Sequence, residues 1–189
     1  MAILKIARMG HPLLRRTAEP IDDPTAPEVQ RLIADMYQTM VDAVGAGLAA
    51  PQVHVSKRLV IFLVPNDEAI EDSDTPPKLT VLINPVVEPL TDETEEDWEG
   101  CLSVPGLRGL VPRYTKVRYR GRAADGSTID RIAHDFHARV VQHECDHLDG
   151  ILYPQRMRDL TKLVFESELR HLTDVSERLR AAAREAAAE

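Results

Sequence analysis

The chain has 189 residues, 43% of them hydrophobic and 4% aromatic, and its 23 Lys and Arg against 31 Asp and Glu give a net charge of −8. That length suits one core and is short for two, the low aromatic content makes the core aliphatic, and the negative balance argues against a nucleic-acid groove. No apolar run reaches the length of a membrane span, residues 1–10 lack a secretory signal pattern, and 2 cysteines are too few for a disulfide scaffold, so a bacterial-type cytoplasm is the expected location.

Residues 3–21 mix short apolar runs with Gly10-His11-Pro12 and Pro20, and read as an irregular arm over the surface. Thr25-Ala26-Pro27-Glu28 then has the spacing of a capping box, with Pro in the first helical turn. Behind it Val29, Leu32, Ile33, Met36, Tyr37, Met40, Val41 and Val44 recur every three or four residues, which predicts an amphipathic helix of about four turns. It stops at Gly45-Ala46-Gly47, where a helix C-cap accounts for Gly45, and the small run Leu48-Ala49-Ala50-Pro51 leads to Gln52. Small residues of this kind let a backbone approach another group closely.

Residues 58–65 and 79–87 are rich in β-branched side chains and read as buried strands. The interval 66–78, with five acids and a Pro pair, reads as an exposed loop, and residues 91–97, five acids in seven, as a solvated hairpin end. Further strands are expected over 116–120 and 127–132, joined through Ala124-Asp125-Gly126. A helix follows over about 133–148, stopped by Gly150 and Pro154. Phe136, Val140, His143 and His147 share one stripe of it and Val141, Cys145 and Leu148 another, so the fold should enclose it. Leu160, Leu163, Leu169, Leu172, Val175 and Leu179 predict a C-terminal helix within residues 159–189, ending in an Ala-rich tail. With no internal repeat and no dividing linker, residues 1–189 read as a single domain.

The enclosed helix carries His143-Glu144-Cys145-Asp146-His147. Two histidines four apart project from one helix face and can converge on a metal ion, while Glu144 lies beside that ion as a base for bound water. The third ligand is open at this point. A three-histidine peptidase would place it where Tyr153 stands, and a zinc endopeptidase would take Glu166, Glu168 or Glu177, which look like an ordinary charged helix face. Cys145 projects away from both histidines. Cys101, between a glycine and a Pro-Gly turn in Glu99-Gly100-Cys101-Leu102-Ser103-Val104-Pro105-Gly106, is the stronger candidate, because a thiolate suits zinc or ferrous iron. Three protein ligands would leave a fourth position for water.

Gly45-Ala46-Gly47-Leu48-Ala49-Ala50-Pro51-Gln52, Glu99-Gly100-Cys101-Leu102-Ser103 and Gln142-His143-Glu144-Cys145-Asp146-His147 resemble the three motifs of the peptide deformylases in order and spacing. The similarity runs from about Gly10 to Tyr153. It implies one α+β domain, antiparallel β-sheets around a central HExxH helix with an N-terminal amphipathic helix and a C-terminal helix. It implies an enzyme that removes the formyl group from the N-terminal formyl-methionine of nascent polypeptides and releases formate. The resemblance assigns Cys101, His143 and His147 to one divalent metal ion, natively Fe2+, which Zn2+, Ni2+ or Co2+ can replace. It makes Glu144 the general acid/base for attack by metal-bound water, and gives the oxyanion to the Gln52 side-chain amide and the Leu102 backbone N–H.

For the substrate, Gly47 resembles a backbone position that pairs with an extended peptide, and Ala46 stands where many relatives carry a branched aliphatic residue. Phe136 and Val140, on the ligand stripe, are expected walls of a methionine pocket, a place that plain core packing explains almost as well. Arg108 and Arg113 match family arginines, for which salt bridges are an equal explanation. The expected partners are N-formyl-methionyl nascent peptides, with no membrane and no nucleic-acid groove. Some relatives tether to the ribosome through a basic C-terminal helix, but residues 159–189 hold seven acids against five Lys and Arg, so that tether is not expected. Ala133-His134-Asp135-Phe136-His137 lacks the glycine that relatives often carry ahead of the motif helix. Two other readings remain: the zinc endopeptidase, and a metal- or peptide-binding module without turnover.

Overall fold

A computed structural model describes residues 2–64 and 78–172. Helix α1 (Pro27–Asp42) lies where the apolar periodicity placed it, and buries Val29, Ile33, Met36 and Met40 against Leu48, Leu59, Ile61 and Ile83. Its start differs from the expected capping box. Ala26 is the N-cap and offers no side chain, because the Thr25 hydroxyl and N–H both donate to Asp23 Oδ1, at 2.7 and 2.8 Å. Asp23 thus captures locally the side chain that would have capped the helix. The end differs too: Val44, not Gly45, adopts the left-handed conformation after the helix, with φ 54°.

Five antiparallel strands form the larger sheet, in the order β1-β2-β3-β6-β7: β1 (Gly47–Ala49), β2 (Leu59–Val64), β3 (Lys78–Pro89), β6 (Lys116–Arg122) and β7 (Thr128–His134). The smaller sheet is β4-β5-β8, from β4 (Thr94–Cys101), β5 (Val104–Tyr114) and β8 (Val164–Phe165). The strands expected over 58–65, 79–87, 116–120 and 127–132 are therefore present. The loop expected over 66–78 lies outside the described residues, save Lys78 at the start of β3.

The acidic stretch 91–97 is not a hairpin end. Its first half crosses between the two sheets and its second half is the exposed start of β4, paired with Val111 to Tyr114. Nor do Pro105 and Gly106 make the turn after Cys101. They lie in β5, and the turn is Leu102-Ser103, between the paired Cys101 and Val104.

Helix α2 (Asp135–Leu148) packs on the larger sheet, with Ala138, Val141, Cys145 and Leu148 joining Val60, Phe62, Leu82, Val117 and Tyr119 in one core. It begins at Asp135 because β7 runs on through His134. Asp135 has φ 46°, a left-handed conformation that favours glycine. The helix ends at Gly150, φ 73°, as expected.

The C-terminal helix starts later than its leucine spacing suggests. Leu160–Lys162 and Glu166–Glu168 are single 3-10 turns flanking β8, whose backbone pairs with Leu107 and Arg108 of β5 and so holds the chain extended there. Helical residues begin at Leu169, and residues 173–189 lie outside the description. No helix among the described residues is long and apolar enough to cross a membrane.

Candidate active site

Three elements meet along one face of α2: α2 itself, the β4–β5 hairpin, and a 3-10 turn (Ala50–Val53) that follows β1. The hairpin is irregular at Gly100/Cys101, where β5 has extra residues opposite the pairing, and Gly106 takes φ 77°. Such a bulge re-aims the side chain beside it, here Cys101. As a result Cys101 Sγ and one ring nitrogen each of His143 and His147 all lie within 4.8 Å of one another. Cys101 Sγ is 3.3 Å from His147 Nε2, and the two imidazoles meet edge to face with centroids 5.1 Å apart. The sulfur also faces the Ser103 backbone N–H at 3.4 Å and Gln52 Nε2 at 3.5 Å.

Gln52 is held by both ends of its amide. Its Oε1 accepts from the Ala49 N–H at 2.8 Å, and its Nε2 donates to Ser103 Oγ at 3.1 Å, which turns the amide N–H group towards Cys101. The irregular N-terminal arm has a task here. The N–H groups of Ala7 and Met9 donate to the carbonyls of Gln52 and Ser103, both at 2.7 Å.

Glu144 is buried, and its Oε2 has no hydrogen-bond partner. Gly47 makes room for it: a methyl group there would overlap Glu144 Oε1 and sit 2.6 Å from Cδ. At Gly45 a Cβ would come 2.9 Å from Leu102 Cδ1, so the leucine side chain would have to shift. Burial pushes the Glu144 carboxyl up to about 7, the opposing pull of His143 notwithstanding, and nearby Glu99 adds to the rise. Burial also disfavours a charged His143, but Cys101, Glu99 and Glu144 around it outweigh that and raise its pKa well above the ordinary value. His147 is pushed well below, by burial and then by the charge of His143.

Behind the cluster lies a network in which Arg113 makes the salt bridges considered for it from sequence, and in which Glu99 and Arg139 were not anticipated. His143 Nδ1 meets Glu99 Oε2 at 2.8 Å, which leaves Nε2 to face the site. Glu99 also receives Arg113 through two hydrogen bonds, 2.8 and 3.0 Å, and Arg139 Nη1 at 3.0 Å. Arg113 continues to Asp146 at 2.6 Å, and Asp146 to Arg156 at 2.7 Å. Burial alone would raise the Glu99 pKa, yet the hydrogen bonds from His143 and Arg113 hold it at about 2. Arg139 further donates to the carbonyls of Val111 and Glu95, both at 2.8 Å. The signal for both was in the sequence: Glu99 is two residues before Cys101 on a strand, hence on its face, and Arg139 is one helical turn before His143.

A cleft of about 510 Å³ opens onto the cluster. Ala46, Gly47, Gln52, Cys101, Leu102, Phe136, Val140, His143 and Glu144 all line it, so nine of the ten sequence-selected residues share one wall system, and His147 joins them through Cys101. Val140 is buried, but Phe136 is 55% exposed, so it stands at the mouth rather than inside a pocket. Cys145 packs into the core away from the cleft, as its helix position requires. Of the carboxylates considered as third ligand, Glu166 is paired with Arg108 at 2.6 Å, Glu168 faces His171 at 3.6 Å, and Glu177 is outside the described residues. Tyr153 stacks on His143 with ring centroids 6.2 Å apart and offers no third imidazole.

The family model described as Polypeptide deformylase matches residues 3–163. The chain is 54% identical to peptide deformylase 1 of Nitrosomonas europaea over 88% of this chain and 94% of that one, and 56% identical to peptide deformylase 2 of Ralstonia nicotianae over 86% and 92%. Among solved structures, the Met-Ala-Ser-bound class I type b peptide deformylase of Acinetobacter baumannii matches with a TM-score of 0.74 and 35% identity, over 82% of this chain and 99% of that one. The actinonin complex of the Synechococcus elongatus enzyme matches with 0.74 and 34%, over 86% and 82%. Fold, order of the three motifs and relatives agree, and the chain belongs to the polypeptide deformylase family.

Proposed function

We propose that the chain acts in the cytoplasm as one catalytic domain over residues 1–189, and removes the formyl group from N-terminal formyl-methionine of nascent polypeptides with the help of one divalent metal ion. The observation that carries this reading is the convergence of Cys101, His143 and His147 within 4.8 Å beside a buried carboxylate, Glu144, that has an unpartnered oxygen. One sulfur and two imidazole nitrogens suit Fe2+ as well as Zn2+, Ni2+ or Co2+, and Glu99 on His143 Nδ1 supplies the outer support that metal-binding histidines usually have. When bound, such an ion makes water nucleophilic near neutral pH and polarises a carbonyl oxygen.

The chain's own groups then divide the work. Glu144, with its pKa brought to about 7, takes a proton from the attacking water and returns it to the departing amine nitrogen, so that the C–N bond breaks and formate leaves. The Gln52 Nε2–H that points at Cys101 is placed to meet the developing oxyanion, together with the Leu102 backbone N–H at the hairpin turn. β1 is the end strand of its sheet, so its outer edge can pair with an extended peptide at Gly47, with Ala46 and Val140 lining the space for the methionine side chain. The Met-Ala-Ser bound to the Acinetobacter baumannii enzyme supports a peptide in this cleft.

The test is formate release from formyl-Met-Ala by protein loaded anaerobically with iron or nickel. Turnover is expected, with a fall of about 10²–10⁴ in kcat for Glu144→Gln while the metal stays bound. Stoichiometric metal without formate would leave a binding module instead.

A further inference from the structure

Both helices end in the same hydrogen-bonding pattern. After α2 the Ile151 N–H reaches Asp146 O at 3.0 Å and the Gly150 N–H reaches His147 O at 3.3 Å; after α1 the Gly45 N–H reaches Met40 O at 2.9 Å and the Val44 N–H reaches Val41 O at 3.1 Å. Each pattern needs a left-handed residue at its inner position. α2 uses glycine there, with φ 73°, whereas α1 uses Val44, with φ 54°. A β-branched side chain crowds its own backbone in that conformation, so valine is among the poorest choices for the task.

Burial does not offset the strain. Val44 is 92% exposed, more than any other large apolar residue described. What distinguishes its place is the cleft: Val44 lines the same cavity as Cys101 and Glu144, as does Phe136, 55% exposed. The charged rim residues Arg108 and Glu166 are paired with each other at 2.6 Å, so their charges largely offset. A strained residue that does nothing for the folded core and stands at the mouth of a reactive cleft is best explained by what enters it.

We infer that Val44, with Phe136 lining the same cleft, is a specificity-determining residue that selects formyl-peptides whose residues after methionine are apolar. This rests on the deformylase reading above. A chain extended along β1 and leaving the cleft carries its second and third side chains past this rim, and apolar ones remove Val44 and Phe136 from water.

The test compares kcat/KM for formyl-Met-Leu-Leu and formyl-Met-Ser-Ser in the metal-loaded wild type, Val44→Asn and Val44→Gly. Asparagine and glycine tolerate the left-handed conformation. The wild type should prefer the Leu-Leu peptide, and both variants should lose that preference by a factor on the order of five, mainly through KM. At the same time Val44→Asn should raise Tm, by about 2–4 °C, because the strain is gone. A raised Tm with an unchanged Leu-Leu to Ser-Ser ratio would overturn the inference and leave the deformylase reading intact. No formate from any formyl-peptide with the wild type would overturn both.

Discussion

Glu99 shows at the scale of one residue how the site is held ready. Its carboxylate accepts from His143, Arg113 and Arg139 at 2.8–3.0 Å, so a single side chain orients an imidazole of the proposed metal site and offsets two buried cations. Glu99→Gln keeps the shape but removes the charge. It should weaken metal binding about 10–100-fold, read by competition with a chelator, since the imidazole loses its anionic support. It should also destabilise the metal-free protein by about 3–5 kcal/mol in urea denaturation, because buried Arg113 and Arg139 lose their shared counter-charge. Unchanged metal affinity would show that the network serves folding alone.

At the scale of elements, the site is split between a helix and a hairpin that lie far apart in sequence, and Arg139 ties them. From α2 it reaches the Glu99 side chain and the Glu95 carbonyl of β4 and the Val111 carbonyl of β5. Arg139→Met keeps most of the aliphatic stem and removes these three links. Faster release of bound Co2+ and an altered visible spectrum of the Co2+-loaded protein are expected, as Cys101 loses its fixed place relative to the histidines. An unaltered spectrum would place the tie elsewhere.

What was legible in the sequence follows from how far apart the partners of each feature lie. Features repeated along one element were readable: the periodicity of α1, the stripe bearing His143 and His147, the β-branched runs of β2 and β3. Features set by distant partners were not. Leu160 and Leu163 have helical spacing, yet the neighbouring residues are drawn into β8 by an open edge of β5 that no local pattern announces. Thr25 had the cap spacing, but Asp23 took its hydroxyl. Cys101, Gln52 and Leu102 are legible because three motifs occur together, whereas the positions of Glu99 and Arg139 put them on the faces of Cys101 and His143 without naming their partners, which only the folded chain brings together.

For the whole molecule the buried network links stability to acid. Glu99 is held at about 2 against an ordinary 4.5, so the folded state binds fewer protons than the unfolded state between those values. Its contribution is complete above pH of about 4.5 and is lost as pH falls towards 2, on the order of 3 kcal/mol in all. Urea denaturation of the metal-free protein between pH 5 and about 2.5 should therefore show a steep loss in the wild type and a shallower one in Glu99→Gln. Equal slopes would mean that other carboxylates dominate acid unfolding.

The central claim is a metal ion with three protein ligands and an open position beside Glu144 and Gln52. Anomalous diffraction at the metal edge from anaerobically iron-loaded crystals tests it most directly. One ion is expected, bonded to Cys101 Sγ and the Nε2 atoms of His143 and His147, with no fourth protein ligand. An ion bonded to Glu166 or Glu168, or an ion that leaves Cys101 uncoordinated, would contradict it.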